Sequence, residues 1–335
     1  MFESIAPAAT PHAAYPRWLG DIGGTNARFG WQESATRPIS HVQVLPCAEH
    51  PSLVDAGLAY LRAQGLSGPA CAAFGIANPV TGDQIAMTNH HWKFSIEATR
   101  VALGLPRLLL LNDFTALALA LPDLPREQLR QIGPGEAAPQ AAVGLIGAGT
   151  GLGVSGLLPL GHQGKWLPIA GEGGHVTLGA GNAQEYAVIE HLRVRYGHVS
   201  AERVLSGPGL VDLYHALCEL QDGQGREITT PAEVMERAEA LPQSKAAQAL
   251  EMFCGLLGSV AGDLALTLGA RGGIYIGGGI VPRLGERFDR SPFRQRFESK
   301  GRFRGYLAAI PTWVIQSPVS PALQGASKAL NLTQW

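Results

Sequence analysis

Two adjacent polar residues, Asn112 and Asp113, end a run of four leucines at positions 108–111. A short apolar run that stops at such a pair predicts a buried strand presenting side chains at its carboxyl end. That is where open α/β sheets place ligand groups. Asp113 has two uses there: N-cap for a helix beginning near Phe114, or base taking a proton from an alcohol that attacks a γ-phosphate. Glu172 and His175 stand in a glycine turn, Gly-Glu-Gly-Gly-His at 171–175. Each could hydrogen-bond a sugar hydroxyl, cap a helix or face solvent. Glu202, in segment 199–209, suits a helix N-terminus. His90 and His91 suggest a metal, yet no carboxylate or third histidine lies at ligand spacing, so they are expected in surface or core.

Three glycine-rich turns, at 20–26, 147–153 and 277–279, each follow a strand-like run. Glycine lets the backbone approach oxygen atoms, and successive N–H groups form an anion-binding concavity, although glycine also simply makes tight turns. Gly164-Lys165, the sole Gly-Lys, is followed by Trp166 rather than Ser or Thr, which excludes an ordinary P-loop enzyme. Protein-kinase signatures are absent. A G-x-G-x-x-G occurs at Gly151, Gly153 and Gly156, with Glu172 downstream. A dinucleotide site wants that motif to open a helix, whereas here it runs into the strand-like residues 154–158. A dinucleotide-dependent oxidoreductase is therefore disfavoured.

The elements that must position these groups alternate. Apolar runs around Gly23–Asn26 predict a hairpin over 18–31, and a second strand–turn–strand falls at 143–158. A shift of 125 residues lays Gly24-Thr25 on Gly149-Thr150, as a duplicated domain would. Strands are expected at 71–77, 108–111 and 274–276. Helices are expected around Leu53–Leu61, over 114–121, and along the face Leu250, Phe253, Leu257, Val260, Leu264 and Leu268. Strands alternating with helices imply α/β layers with mainly parallel pairing. Pro122, Pro125 and the stretch 133–139 are the expected linker, with Pro122–Pro125 and Ser317-Pro318 as hinge candidates.

Composition sets limits. The 335 residues carry 26 Lys plus Arg and 27 Asp plus Glu, a net charge of −1 that offers no general field for nucleic acid or an anionic membrane. Any phosphate must be recognised locally. Half of the 36 residues in segments 20–30, 144–156, 171–174 and 272–279 are glycine, so the glycine excess is concentrated at the turns. Four scattered cysteines show no zinc-ligand spacing and fit a reducing compartment. The amino-terminal segment lacks a basic and then apolar leader, so a cytoplasmic protein is expected. Residues 137–164 carry no Asp, Glu, Lys or Arg, but glycines and Pro159 break them into strand-sized runs rather than a membrane span.

Segment 20–28, Gly-Asp-Ile-Gly-Gly-Thr-Asn-Ala-Arg, resembles the first phosphate motif of sugar kinases with the actin/hexokinase-like fold. Segments 87–90, 112–116, 147–153, 171–175, 200–209 and 277–283 follow in order. Together they resemble the bacterial glucokinase family of the ATP-dependent, zinc-free type. The resemblance implies an α/β, actin/hexokinase-like (ribonuclease H-like) duplicated fold of two domains with a central cleft. Its expected division is a flexible tail at 1–16, a small domain at 17–123 plus 316–335, and a large domain at 124–315. It implies phosphorylation of the 6-hydroxyl of D-glucose by ATP with Mg²⁺, feeding glycolysis, in a cytoplasmic homodimer. Asp113 matches the catalytic base and, with Asn112, Glu172, His175 and Glu202, belongs to the substrate-binding set that the resemblance implies. Gly20, Asp21, Ile22, Gly23, Gly24, Thr25, Asn26, Gly149, Thr150, Gly151, Gly278 and Gly279 match nucleotide-binding positions, with Asp21 the acid associated with metal-bound phosphates. The cysteine-rich zinc motif of the repressor/open-reading-frame/kinase group is missing, so no zinc is expected. A sugar-binding regulator without catalysis is the other alternative, and the presence of Asp113 argues against it.

Overall fold

The computed structural model describes residues 14–88, 90–161, 164–221, 223, 227–317 and 319–332. Most of the expected tail, Asn89 of the 87–90 motif and Pro318 of one hinge candidate lie outside them. Two compact units form: Pro125–Gln316 is one, and the remaining chain is the other.

The first unit is built on a five-stranded sheet. Its strands are β1 (Arg17–Ile22), β2 (Asn26–Gln32), β3 (Ser40–Pro46), β4 (Cys71–Ile76) and, after a small ribbon of β5 (Gln84–Ala86) and β6 (Lys93–Ser95), β7 (Leu108–Asn112). The order is β3-β2-β1-β4-β7. The first two pairings are antiparallel, and β1, β4 and β7 run parallel. Alternation along β1 sends Trp18 and Ile22 to one face and Leu19 to the other. On the first face Trp18, Phe29 and Phe74 pack with Tyr60 of helix Leu53–Gln64, ring centroids of the contacting pairs lying 5.1 to 6.1 Å apart. That helix starts where Ser52 caps the Asp55 N–H and stops at Gly65, which takes the left-handed conformation.

The opposite face carries helices Asp113–Ala120 and Pro321–Ala329. They cross closely: a Cβ at Gly325 would lie 1.6 Å from the Ala116 carbonyl oxygen. Buried Arg17 locks the second helix by donating to the Ser327 carbonyl at 2.7 Å and to Asn331 Oδ1 at 2.6 Å. Within the segment expected as a tail, the Pro16 carbonyl accepts the Ala70 N–H at 2.8 Å and the Ala14 carbonyl accepts the Arg17 Nε–H at 3.3 Å.

The second unit repeats the plan. Its strands are β8 (Leu129–Ile132), β9 (Val143–Ala148), β10 (Leu152–Leu160), β11 (Lys165–Ala170), β12 (Ile274–Gly277) and β13 (Thr312–Ile315). Their order is β11-β10-β9-β12-β13-β8. Without the added edge strand β8, this matches β3-β2-β1-β4-β7 strand for strand. The parallel and antiparallel pairings also match. The apolar residues 143–160 are thus hairpin strands. Stretch 133–139 is no linker but a loop inside this unit, with the Ala138 N–H on the Arg271 carbonyl at 3.0 Å. By then β8 has already joined the sheet through β13.

Helix Lys245–Leu268 runs from a Ser244 cap to a left-handed Gly269. By length and composition it could cross a membrane, but 67% of its most apolar stretch is buried in the unit, as befits a core helix.

Candidate active site

In the first unit, strand register aligns the carboxyl ends of three parallel strands. Ile22 of β1 pairs with Ile76 of β4, which pairs with Asn112 of β7. Asp21 therefore lies one residue before this line and Asp113 one after it. Asp21 belongs to the face that carries helix Asp113–Ala120, because residues 17, 19 and 21 alternate to that side, and Asp113 opens that helix. Gly75, in register with Asp21, makes room: a Cβ there would meet the Asp113 Cα at 3.3 Å and the Ala116 Cβ at 3.1 Å.

Of the two uses open to Asp113, the N-cap role belongs instead to Asn112. Its Oδ1 accepts the N–H groups of Phe114 at 2.9 Å and Thr115 at 3.1 Å, leaving Nδ2 to donate elsewhere. The helix begins one residue earlier than expected, so Asp113 occupies its first position, half-buried, with Oδ1 also accepting the Phe114 N–H at 2.8 Å. A helix amino end favours negative charge.

The turn between β1 and β2 is closed by its own backbone. The Gly23 N–H donates to the Asn26 carbonyl at 2.9 Å, and Gly24, Thr25 and Asn26 remain accessible. Asp21 Oδ2 accepts from Arg28 across the hairpin at 2.9 Å. Cys47, at the end of β3, braces the turn from behind: its N–H donates to the Thr25 carbonyl at 2.8 Å and its thiol points at the Gly23 carbonyl, 3.5 Å away. Burial pushes that thiol up to about 11. Sequence reasoning missed Arg28 and Cys47. The odd spacing of Asp21 and Arg28 across a predicted hairpin could have signalled the first; nothing marked the second.

In the second unit the Thr150 turn is assembled from distant parts of the chain. Gly149 accepts the Gly207 N–H at 2.8 Å, and the Ala148 carbonyl accepts from Ile280 at 3.2 Å. Gly278 crosses Ala148 so closely, at φ +80°, that a Cβ would lie 2.2 Å from its carbonyl oxygen. Nucleotide-assigned residues 149–151 and 278–279 thus share one end of β9 and β12, whose Gly147 and Gly277 are in register. Glu202 lies in the first turn of the short helix Ala201–Val204, as a helix-favouring acid would, with Ser200 as cap. It does more: its Oε2 accepts the Leu152 N–H at 2.9 Å. His175 Nε2 stands 4.0 Å from its Oε1. Glu172 is exposed, and its backbone carbonyl accepts the His175 N–H at 3.0 Å.

The G-x-G-x-x-G at 151–156 lies in the β9–β10 turn and in β10, an antiparallel strand, so it opens no helix. Among the described residues no group of three or more His, Cys, Asp or Glu is placed to hold a metal. His90 and His91 pack with tilted rings, centroids 4.1 Å apart, and His90 meets Trp92 edge-on.

Two sheets that share a five-strand order, with glycine turns after the corresponding strands β1 and β9, define the actin/hexokinase-like class. A glucokinase family model matches residues 18–333, and the chain belongs to that family. It is 55% identical over 318 residues to a glucokinase of Aromatoleum aromaticum, spanning 95% of each chain. A Chromobacterium violaceum glucokinase is also 55% identical, over 95% of this chain and 90% of that one. Among solved structures, glucokinase from an Antarctic psychrotroph superposes with a TM-score of 0.80 at 33% identity, covering 94% of this chain and 98% of that one.

Proposed function

We propose that this chain is an ATP-dependent hexose kinase that moves the γ-phosphoryl group of ATP to the 6-hydroxyl of D-glucose, giving glucose 6-phosphate and ADP. The single observation that carries the mechanism is the placement of Asp113. Asn112 caps the helix, and Asp113, at the helix's first position and the carboxyl edge of β7, is the carboxylate assigned to accept the hydroxyl proton. Asn112 Nδ2, Glu172, His175 and Glu202 are the groups assigned to the sugar. Glucose is neutral and covered in hydroxyls, which amides, carboxylates and imidazoles read by hydrogen bonding. A site built this way rejects sugars whose hydroxyls are misplaced.

Phosphoryl transfer asks mainly for alignment and charge stabilisation. With no Walker lysine, the residues assigned to the phosphates are Gly20 to Asn26, Gly149 to Gly151, and Gly278 with Gly279, acting through backbone N–H groups. Magnesium commonly keeps several waters and uses one or two carboxylates beside the phosphates. Asp21, with one oxygen on Arg28, fits that pattern, which needs no three-ligand protein cage. Bound there, the ion would neutralise phosphate charge. Location in the cytoplasm, supply of glycolysis and a homodimeric state complete the proposal on family resemblance.

The test is ADP release from ATP and Mg²⁺ across a panel of sugars. Release that depends on glucose is expected; no sugar-dependent release with any hexose would overturn the kinase assignment.

A further inference from the structure

Glu202 faces two ways. Its Oε2 holds the Leu152 N–H at 2.9 Å, closing the far side of the 149–151 turn, while its Oε1 faces His175. Five residues on, the Gly207 N–H holds the near side through the Gly149 carbonyl. One segment, 200–207, therefore clasps the phosphate turn at both ends while carrying a carboxylate assigned to the sugar. Gly151 is fitted to this clasp: a Cβ there would stand 2.4 Å from Glu202 Oε2 and 3.2 Å from Cδ, with no backbone atom among its near contacts. Gly149, two residues away, has open space where its Cβ would be.

We propose that Glu202 is shared between the two substrates, one oxygen fixing the nucleotide turn and the other holding glucose, so that Gly151 is a positioning residue for the sugar. The inference rests on the assignment of Glu202 to glucose and extends it. A carboxylate held by a charge-assisted bond to Leu152 is preorganised for a hydroxyl donor. Conversely, a hydroxyl on Oε1 orders the carboxylate and through it the turn. Such coupling acts equally in both directions.

The contrast between Gly151 and Gly149 supplies the experiment. An added methyl at 151 meets the far end of a flexible side chain, so the carboxylate moves and the fold survives. D-glucose binding is measured by calorimetry without nucleotide for wild type, Gly151→Ala, Gly149→Ala and Glu202→Ala, with melting curves to confirm folding. We expect Gly151→Ala to weaken glucose about tenfold and Gly149→Ala to leave it unchanged, a size usual for coupled sites. A role confined to the phosphates would leave glucose affinity untouched in both. Wild-type affinity in Gly151→Ala, with loss in Glu202→Ala, would overturn the shared role and spare the sugar assignment. Wild-type affinity in Glu202→Ala would overturn the assignment itself. The reciprocal arm uses a non-hydrolysable ATP analogue with Mg²⁺ and no sugar. Glu202→Ala should weaken it severalfold, and unchanged affinity there would also overturn the shared role.

Discussion

The two glycine turns occupy the same place in two sheets of the same order, yet they are built differently. The last paired residues enclose four residues in the first, between Ile22 and Ala27, and three in the second, between Ala148 and Leu152. In the first, charge resides on the hairpin itself, as Asp21 and Arg28. In the second, the hairpin has no charged residue, and a carboxylate arrives from Glu202, 50 positions further along the chain. A duplicated scaffold has kept its backbone plan while one copy supplies its own charged groups and the other imports one. Disturbance of the first turn should stay local, whereas disturbance of the second should spread to whatever else segment 200–207 does.

The largest expected effect tests the first unit's chemistry. Asp113→Asn should cut turnover by about 10²–10⁴-fold, the usual share of acid–base catalysis, while glucose affinity measured by calorimetry is retained. Near-normal turnover would remove Asp113 as the base. Next comes the locality of the first turn. Asp21→Asn should raise the KM for MgATP roughly 10–100-fold, in line with the loss of a group supporting a metal site. Nucleotide-free glucose binding should not move; a matching loss of glucose affinity would erase the contrast with Gly151.

Smaller effects concern the supports. Gly325→Ala forces a methyl against the Ala116 carbonyl and should cost about 1–3 kcal/mol in denaturant unfolding. Ser200→Ala removes the acceptor for the Arg203 N–H and should cost about 1 kcal/mol, raising the KM for glucose as the Glu202 helix loosens. The smallest is a pH effect at the brace of the first turn. Burial raises the Cys47 thiol from 9.0 to about 11, so its contribution to stability is present below pH 9 and is lost as pH rises through 11. The urea midpoints of wild type and Cys47→Ala should converge across that window, and a constant gap would refute it.

Much of the scaffold could be read from residues. Both hairpins, the strands after Gly68-Pro69 and before Asn112, and the long helix ending at Gly269 were legible because buried apolar runs met glycine or proline punctuation. β3 was not: most of its residues are exposed, and it carries no clear burial pattern. The cap before Phe114 was displaced by one residue, since Asn112 and Asp113 are both good caps and only geometry shows which side chain reaches the Thr115 N–H. The bond from Leu152 to Glu202 was beyond any local pattern. It joins a backbone N–H, which every residue but proline has, to a side chain from a different element. Pairings of that kind are a property of the packed fold.

The most direct test of the account is the chemical identity of the product. Purified protein is given ATP, Mg²⁺ and D-glucose carbon-13-labelled at position 6, and the mixture is followed by phosphorus and carbon NMR. The account predicts one phosphorylated sugar for each ADP formed, with phosphorus coupled to carbon 6. Phosphate on another carbon, or ADP formed without a sugar phosphate, would contradict it.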